Sequence, residues 1–192
     1  MTLALRLQEL IRRAAEQPAP PGRAAHHKRR LDSAGAGQVI LADVSESMAA
    51  QAWGGQRKID VLRAALSTAP PARVIAFASA PVLVIGALPE PSGSTAMHRG
   101  LELAASLAPA HTLVISDGQP DDEASALTIA ERVPGVIDVL YVGPDSDKTA
   151  IAFMRRLARV GAGRYAGHDL VRIRAELCPV IRGLLGPAGS GA

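Results

Sequence analysis

The sequence has one cysteine and no long uncharged apolar segment, and each shortage excludes a class of protein. Cys178 has no second cysteine to pair with, so neither an intramolecular disulfide nor a multi-cysteine zinc site can form. A membrane span needs about 18 consecutive apolar residues, and no such stretch is present. The first apolar segment carries charges throughout, unlike a signal peptide. We therefore expect a cytoplasmic protein that does not enter the membrane.

Aromatic residues are also scarce, at 3% of 192 residues. Proteins that bind single-stranded nucleic acid stack the bases on exposed aromatic rings, and most of the aromatic residues here fall inside predicted strands or helices. The formal net charge is only +3, although the sequence pI is about 9.5. Nucleic-acid binding is therefore an alternative function, supported by the basic segment from Arg23 to Arg30.

Recognisable catalytic motifs are missing as well. None of the serines lies in a G-x-S-x-G setting, and no phosphate-binding P-loop is present. Gly35 and Gly37 precede a predicted strand, whereas a dinucleotide fingerprint must follow one. His98 and His111 are better explained as structural or surface residues than as catalytic bases. We expect a protein that is not an enzyme, and a metal-dependent phosphohydrolase is the less favoured alternative.

What the sequence does contain is a regular alternation of strand and helix patterns. Short runs rich in Val and Ile predict strands, and segments with helical periodicity fall between them. Helices that alternate with buried strands indicate a doubly wound α/β fold: a mostly parallel six-stranded sheet with helices on both faces. The predicted strands are Gln38–Asp43, Arg73–Ser79, Val82–Leu88, Thr112–Ser116, Val136–Val142 and, more weakly, Gly163–Ala166. The predicted helices are Ile59–Ser67, Ala96–Leu107, Asp122–Val133 and Lys148–Val160.

One connection breaks the parallel pattern. Only Ala80 and Pro81 join the second and third predicted strands. Two residues are too few for a crossover between parallel strands, so this pair is predicted to be an antiparallel hairpin at an edge of the sheet.

The two ends of the chain differ from the middle in composition and in predicted structure. Residues 1–37 are predicted to combine an amphipathic helix with a basic linker rich in Pro and Gly, residues 38–186 to form the α/β domain, and residues 187–192 to be a flexible tail. Near the end, Asp169 is predicted to cap a helix through Leu177, with Pro179 breaking or kinking it before a last segment, Val180–Leu185.

Oxygen-bearing side chains cluster where predicted strands end. The string Asp43-Val44-Ser45-Glu46-Ser47 follows the first strand directly, Thr95 precedes a helix, and Asp117 follows another strand. The carboxyl ends of parallel strands meet at one edge of the sheet, so these groups are expected to converge. Mg²⁺ prefers such hard oxygen ligands. Alternatively, Ser45 and Ser47 cap the following helix and Asp117-Gly118 is an ordinary turn.

These residues resemble the metal-ion-dependent adhesion site (MIDAS) of the von Willebrand factor A (vWA) domain family, in the motifs DVSES, the Thr95 of SGSTAMHRGLELA and the Asp117 of TLVISDGQ. The resemblance, to intracellular bacterial members, runs from about Gln38 to Leu185. It implies a Rossmann-like vWA fold with one Mg²⁺ held directly or through water, Mn²⁺ and Ca²⁺ being alternative ions. The implied metal ligands are Asp43, Ser45, Ser47, Thr95 and Asp117.

The same resemblance implies how such a site works. An Asp or Glu of a partner protein completes the coordination shell of the metal, and the loops Met48–Lys58, Glu90–Thr95 and Gln119–Glu123 are expected to set specificity. Many stand-alone bacterial domains of this kind act beside AAA+ ATPases of the MoxR type, which makes such an ATPase the first expected partner. Some intracellular relatives belong to RNA-binding proteins, so an RNA-associated protein is the alternative.

Overall fold

Buried apolar strands form the centre of the molecule, and helices cover both of their faces. The computed structural model describes residues 37–171 and 177–185. In this part of the chain, the six strands lie in the order β3-β2-β1-β4-β5-β6. They are β1 Gln38–Asp43, β2 Arg73–Phe77, β3 Pro81–Leu83, β4 His111–Ser116, β5 Val136–Tyr141 and β6 Ala162–Gly167. The α-helices are α1 Lys58–Ser67, α2 Met97–Ser106, α3 Glu123–Ala130, α4 Lys148–Val160 and α5 Leu177–Leu185, with short 3₁₀ helices at Glu46–Ala49 and Trp53–Gly55.

The sheet confirms the predicted topology. β1 is parallel to both of its neighbours, β2 and β4, and β5 and β6 continue the parallel order. Among the six described strands only β3 is antiparallel, and it pairs with β2 at one edge, as the two-residue connection predicted. Because β1 has one parallel neighbour on each side, the chain reverses its direction of travel across the sheet at this strand.

Side chains of successive strand residues point to opposite faces, which produces two separate cores. One core contains Leu41 and Val139 under the helices α2, α3 and α4. The other contains Ile40 and Leu140 under α1 and α5. Since both faces are covered, the central strands are mostly apolar without alternation, and Asp138, inside β5, is a charged exception.

The third strand is shorter than predicted. It ends at Leu83 rather than Leu88, because Gly86 adopts a positive φ of 99° that turns the chain away from β2. The backbone carbonyl of Leu88 then accepts two hydrogen bonds from the guanidinium of Arg63 instead of pairing in the sheet. β2 likewise ends at Phe77, two residues early, and the Ala78 carbonyl accepts the amide of Ala96.

Of the two predicted effects of Pro179, breaking or kinking the last helix, the break is wrong. Helix α5 runs continuously through this residue, from Leu177 to Leu185. Asp169 accepts the backbone amides of Val171 and Asp145. Whether Asp169 also caps a helix depends on residues 172–176, which lie outside the described residues, as do the predicted N-terminal helix, the basic linker and the tail.

Candidate metal site

The two carboxylates singled out by the sequence lie on adjacent strands. Asp43 is the last residue of β1, and Asp117 follows the last residue of β4. β1 and β4 pair directly, with Ala42 opposite Ile115. This is the position at which open α/β sheets bind ligands, because the connections that leave the neighbouring strands separate there and open a crevice.

A continuous chain of hydrogen bonds links four of the five predicted metal ligands. Asp43 Oδ1 accepts the backbone amide of Ser45 at 2.8 Å. The hydroxyls of Ser45 and Ser47 are 3.0 Å apart, and the Ser47 hydroxyl donates to Asp117 Oδ1 at 2.7 Å. The Ser45 side chain makes no capping hydrogen bond to the 3₁₀ helix that follows it. The hydroxyls of both serines therefore face the carboxylates, and the helix-cap alternative does not describe Ser45.

Thr95, the fifth predicted ligand, is brought to the same edge by its loop. The Gly93 carbonyl accepts the amide of Glu46, and the Thr95 amide donates to Asp121 Oδ1 at 3.0 Å. Gly93 has a φ of 76°, and a Cβ at this position would collide with the hydroxyl of Ser79. Only glycine lets the loop approach this closely.

Asp43 is buried and has an unusual electrostatic environment. Burial raises its pKa to about 6, although hydrogen bonds from the Ser116 hydroxyl and from Ser45 act in the opposite direction, and the nearby charge of Asp117 raises the pKa further. The Ser116 hydroxyl donates to Asp43 Oδ2 at 2.5 Å. Among the described residues, no Lys, Arg or His forms an ion pair with Asp43. Its carboxylate is thus deficient in positive charge.

Asp117 does have a cationic partner. Lys58 Nζ lies 2.5 Å from Asp117 Oδ2, and the two side chains are only 8% and 1% exposed. Both oxygens of Asp117 are engaged, one by Ser47 and the other by Lys58. A lysine buried to this degree is uncommon and is normally found paired with an acid, as here.

Comparison with solved structures places this geometry in a known fold. The manganese-loaded Plasmodium vivax TRAP protein superposes with a TM-score of 0.57 at 15% sequence identity, covering 81% of this chain and 73% of that chain. The SpRpn10 VWA domain superposes with a TM-score of 0.59 at 12% identity, covering 83% of this chain and 98% of that chain. The chain has the von Willebrand factor A fold. No protein-family model matches the sequence. No curated protein matches it either.

The donor atoms at this edge of the sheet suit a hard divalent cation. Within residues 37–171 and 177–185, no group of three or more His, Cys, Asp or Glu side chains could hold a metal ion. The candidate site instead combines two carboxylates with serine and threonine hydroxyls, all of them oxygen donors of the kind that Mg²⁺ and Mn²⁺ accept. The charge deficit at Asp43 is the observation that favours a cation there. None of the helices in the same part of the chain has the length and apolarity that a bilayer span needs.

Sequence reasoning missed two residues of the site. Ser116 was predicted only as a strand residue, and Lys58 only as the end of a surface loop. Lys58 is the first residue of α1, whose buried stripe continues through Leu62 and Ala65, at the spacing that places residues on one helix face. Helical periodicity extended by one residue could therefore have indicated that Lys58 is buried. Asp122 caps α3, since its side chain accepts the Ser125 amide.

Proposed function

We propose that this vWA domain is a metal-dependent protein-binding module rather than an enzyme. Asp43, Ser45, Ser47, Thr95 and Asp117 would hold one Mg²⁺ or Mn²⁺ ion, directly or through water. The bound ion would supply a positive charge to which a carboxylate of a partner protein can bind. The observation that carries the proposal is the hydrogen-bonded series from Asp43 through Ser45 and Ser47 to Asp117.

The site is graded from buried to accessible, as a site for an incoming ligand has to be. Asp43 and Asp117 are buried, Thr95 is half-buried and Ser47 is exposed. The buried carboxylates provide the charge that attracts a cation, and the exposed hydroxyl lies on the side from which a partner can approach. One structural neighbour, the Plasmodium vivax TRAP protein, is manganese-loaded, which supports a metal in a protein of this fold.

The surface near the site has features of a protein contact. Trp53 is 54% exposed and Val171 is 47% exposed. The Trp53 amide donates to the Leu170 carbonyl, so these two apolar side chains belong to neighbouring segments. Tryptophan is enriched among the residues that dominate the energy of protein interfaces. We therefore expect the partner to place an apolar group beside its Asp or Glu. An AAA+ ATPase of the MoxR type remains the first candidate, on the resemblance alone.

The test is a capture experiment with the full chain in lysate from the native organism. Wild type and Ser47→Ala are compared in Mg²⁺, and wild type is also tested in EDTA. Ser47 is exposed, so its loss removes one predicted metal ligand without opening a cavity in the core. The expected result is a protein partner that is recovered by wild type in Mg²⁺ and lost in the other two samples.

The matched control is Ser106→Ala, which removes another exposed serine hydroxyl. Ser106 is the last residue of α2, whereas Thr95 precedes the first residue of that helix. It should capture the partner as wild type does. Equal recovery of the partner in Mg²⁺, in EDTA and with Ser47→Ala would contradict the proposal. Recovery of RNA that depends on salt but not on metal would instead support the RNA-associated alternative.

A further inference from the structure

The positive charge of Lys58 lies next to a carboxylate of the candidate metal site. Its ammonium is 2.5 Å from Asp117 Oδ2, and Asp117 is one of the two carboxylates on which the proposed metal site depends. Burial of both side chains keeps water from screening the pair, so its interaction is stronger than that of a surface ion pair. The metal-free protein thus already holds a cation at one of the two buried carboxylates of the site.

The backbone fixes Lys58 in this place. Its amide donates to the Ala50 carbonyl, which ties the start of α1 to the segment that follows the serines. One residue earlier, Arg57 forms ion pairs with Asp60 and with Glu90. Glu90 belongs to the loop that leads to Thr95, so this surface network connects the first turn of α1 to the same loop. The lysine is therefore part of the site and does not reach it from a mobile segment.

Charge counting shows a conflict between Lys58 and a divalent ion. Asp43, Asp117 and Lys58 together carry a net charge of −1 when all three are ionised. A divalent ion added beside the ammonium would leave a buried net charge of +1, with two cations close together. If the ammonium leaves, the ion and the two carboxylates are neutral. The second arrangement is favoured because an uncompensated charge is costly to bury.

We propose that Lys58 is an internal competitor of the divalent cation, which neutralises Asp117 in the metal-free protein and leaves that carboxylate when an ion binds. This inference rests on the proposed function, since it concerns the same site. Its consequence is regulation: the site stays stable and compact without metal, and its metal affinity is lower than five oxygen ligands alone would give. Binding of metal also releases the Lys58 ammonium from Asp117.

The first test measures the dissociation constant of Mn²⁺ by electron paramagnetic resonance for the full chain and two variants. Lys58→Met removes the competing charge and keeps an apolar stem of similar length. Lys148→Met is the matched control, because Lys148 is also the first residue of a helix but is exposed. We expect Lys58→Met to bind Mn²⁺ at least about tenfold more tightly than wild type, and Lys148→Met to bind within about twofold of it, since only a close, buried charge acts strongly.

Equal dissociation constants for wild type and Lys58→Met would overturn this inference and leave the proposed metal site intact. Absence of Mn²⁺ binding in all three proteins would overturn the metal site as well. A Lys58→Met protein that folds only after metal is added would support the inference, because the ion would then be doing what the ammonium does in wild type.

The second test needs no variant. The ¹⁵N resonance of the Lys58 ammonium is followed in the wild-type protein during a titration with Mg²⁺, with the Lys148 resonance as the internal reference. The expected result is that Mg²⁺ shifts or removes the Lys58 signal and leaves that of Lys148 in place. A Lys58 signal that does not change while Mg²⁺ saturates the site would show that the ammonium stays on Asp117 and would overturn the inference.

Discussion

Two buried aspartates, Asp43 at the carboxyl end of β1 and Asp138 inside β5, differ in the charges that surround them. Asp138 is the third residue of β5, and its carboxylate accepts hydrogen bonds from the backbone amide and the guanidinium of Arg164 and lies 3.2 Å from His111 Nε2. Asp43 ends β1, and its partners among the described residues are uncharged: Ser45, through its amide, and the Ser116 hydroxyl. Both side chains are buried to within 1% of full enclosure, so the difference lies in the neighbouring charges.

The pKa values of the two carboxyl groups reflect this difference. Burial acts to raise the pKa of Asp138, but the hydrogen bonds from His111 and Arg164 outweigh it, and the pKa lies below its usual value. Burial raises the pKa of Asp43 to about 6 because the hydrogen bonds to it are too weak to compensate. A buried carboxylate whose negative charge is balanced by neighbouring basic side chains indicates a structural role. A buried carboxylate without such a neighbour indicates a site for a cation.

The structural role of Asp138 is visible in what its partner holds. Arg164 donates from the same guanidinium to Asp138 and to the carbonyl of Leu184 in α5. The Gln38 side chain donates to the next carbonyl, that of Leu185. These bonds satisfy carbonyls at the carboxyl end of α5, where the helix itself provides no donors. Asp138 therefore helps to attach the last described helix to the sheet.

The largest expected change in stability comes from removing the negative charge of Asp138. Asp138→Asn leaves the Arg164 guanidinium without its anion. Because the Arg164 side chain is 45% exposed, water can solvate the freed charge, so the cost is about 3 kcal/mol, the upper end for hydrogen bonds to a charged group. We expect the free energy of unfolding, measured with urea, to fall by that amount. A loss below about 1 kcal/mol, the size of an ordinary hydrogen bond, would contradict a structural role for Asp138.

A smaller effect of opposite sign is expected for Asp43→Asn in the absence of metal. At pH 7 the carboxylate of Asp43 is ionised although burial disfavours its charge, and a pKa of about 6 in place of 3.8 corresponds to about 3 kcal/mol of destabilisation. The neutral amide removes this charge and keeps the side-chain shape. We expect the urea unfolding free energy in EDTA to rise by up to about 3 kcal/mol. A marked loss of stability would show that the charge at Asp43 is compensated after all.

The pH dependence provides a third and smaller effect. The folded-state pKa of Asp43 is raised, so its destabilising charge disappears as the pH falls from 7 to 5. The stability difference between wild type and Asp43→Asn should therefore shrink by about 1 kcal/mol over this interval. The pKa of Asp138 is lowered, so its stabilising contribution should be constant from pH 7 to 5 and be lost only as the pH falls below 3.8, the ordinary pKa of an aspartate. Urea unfolding of wild type and the two variants at several pH values measures both pH dependences.

Much of the fold could be predicted from the sequence because the central strands are apolar and the connections are short. The predicted β1, Gln38–Asp43, and the predicted fourth helix, Lys148–Val160, have the observed bounds. In both, the hydrophobic pattern and the flanking polar residues indicate the same bounds. The end of β3 could not be predicted, since it depends on the positive φ of Gly86 and on Arg63, which comes from a different element.

The candidate site was predictable to the extent that its residues follow strands. Asp43, Ser45, Ser47 and Asp117 all lie in strand exits or just beyond them, and the sheet topology brings them together. Lys58 was not found because its role depends on a contact with Asp117, 59 residues away. A lysine at the start of a helix usually lies in solvent, and only the packing of α1 against the second core places this one inside.

The most direct test of a cation site at Asp43 is a calorimetric titration of the full chain with Mn²⁺, for wild type and for Asp43→Asn. The account predicts that wild type binds a single Mn²⁺ ion and that Asp43→Asn, although at least as stable without metal, binds none. Undiminished binding by Asp43→Asn, or no binding by wild type, would contradict it.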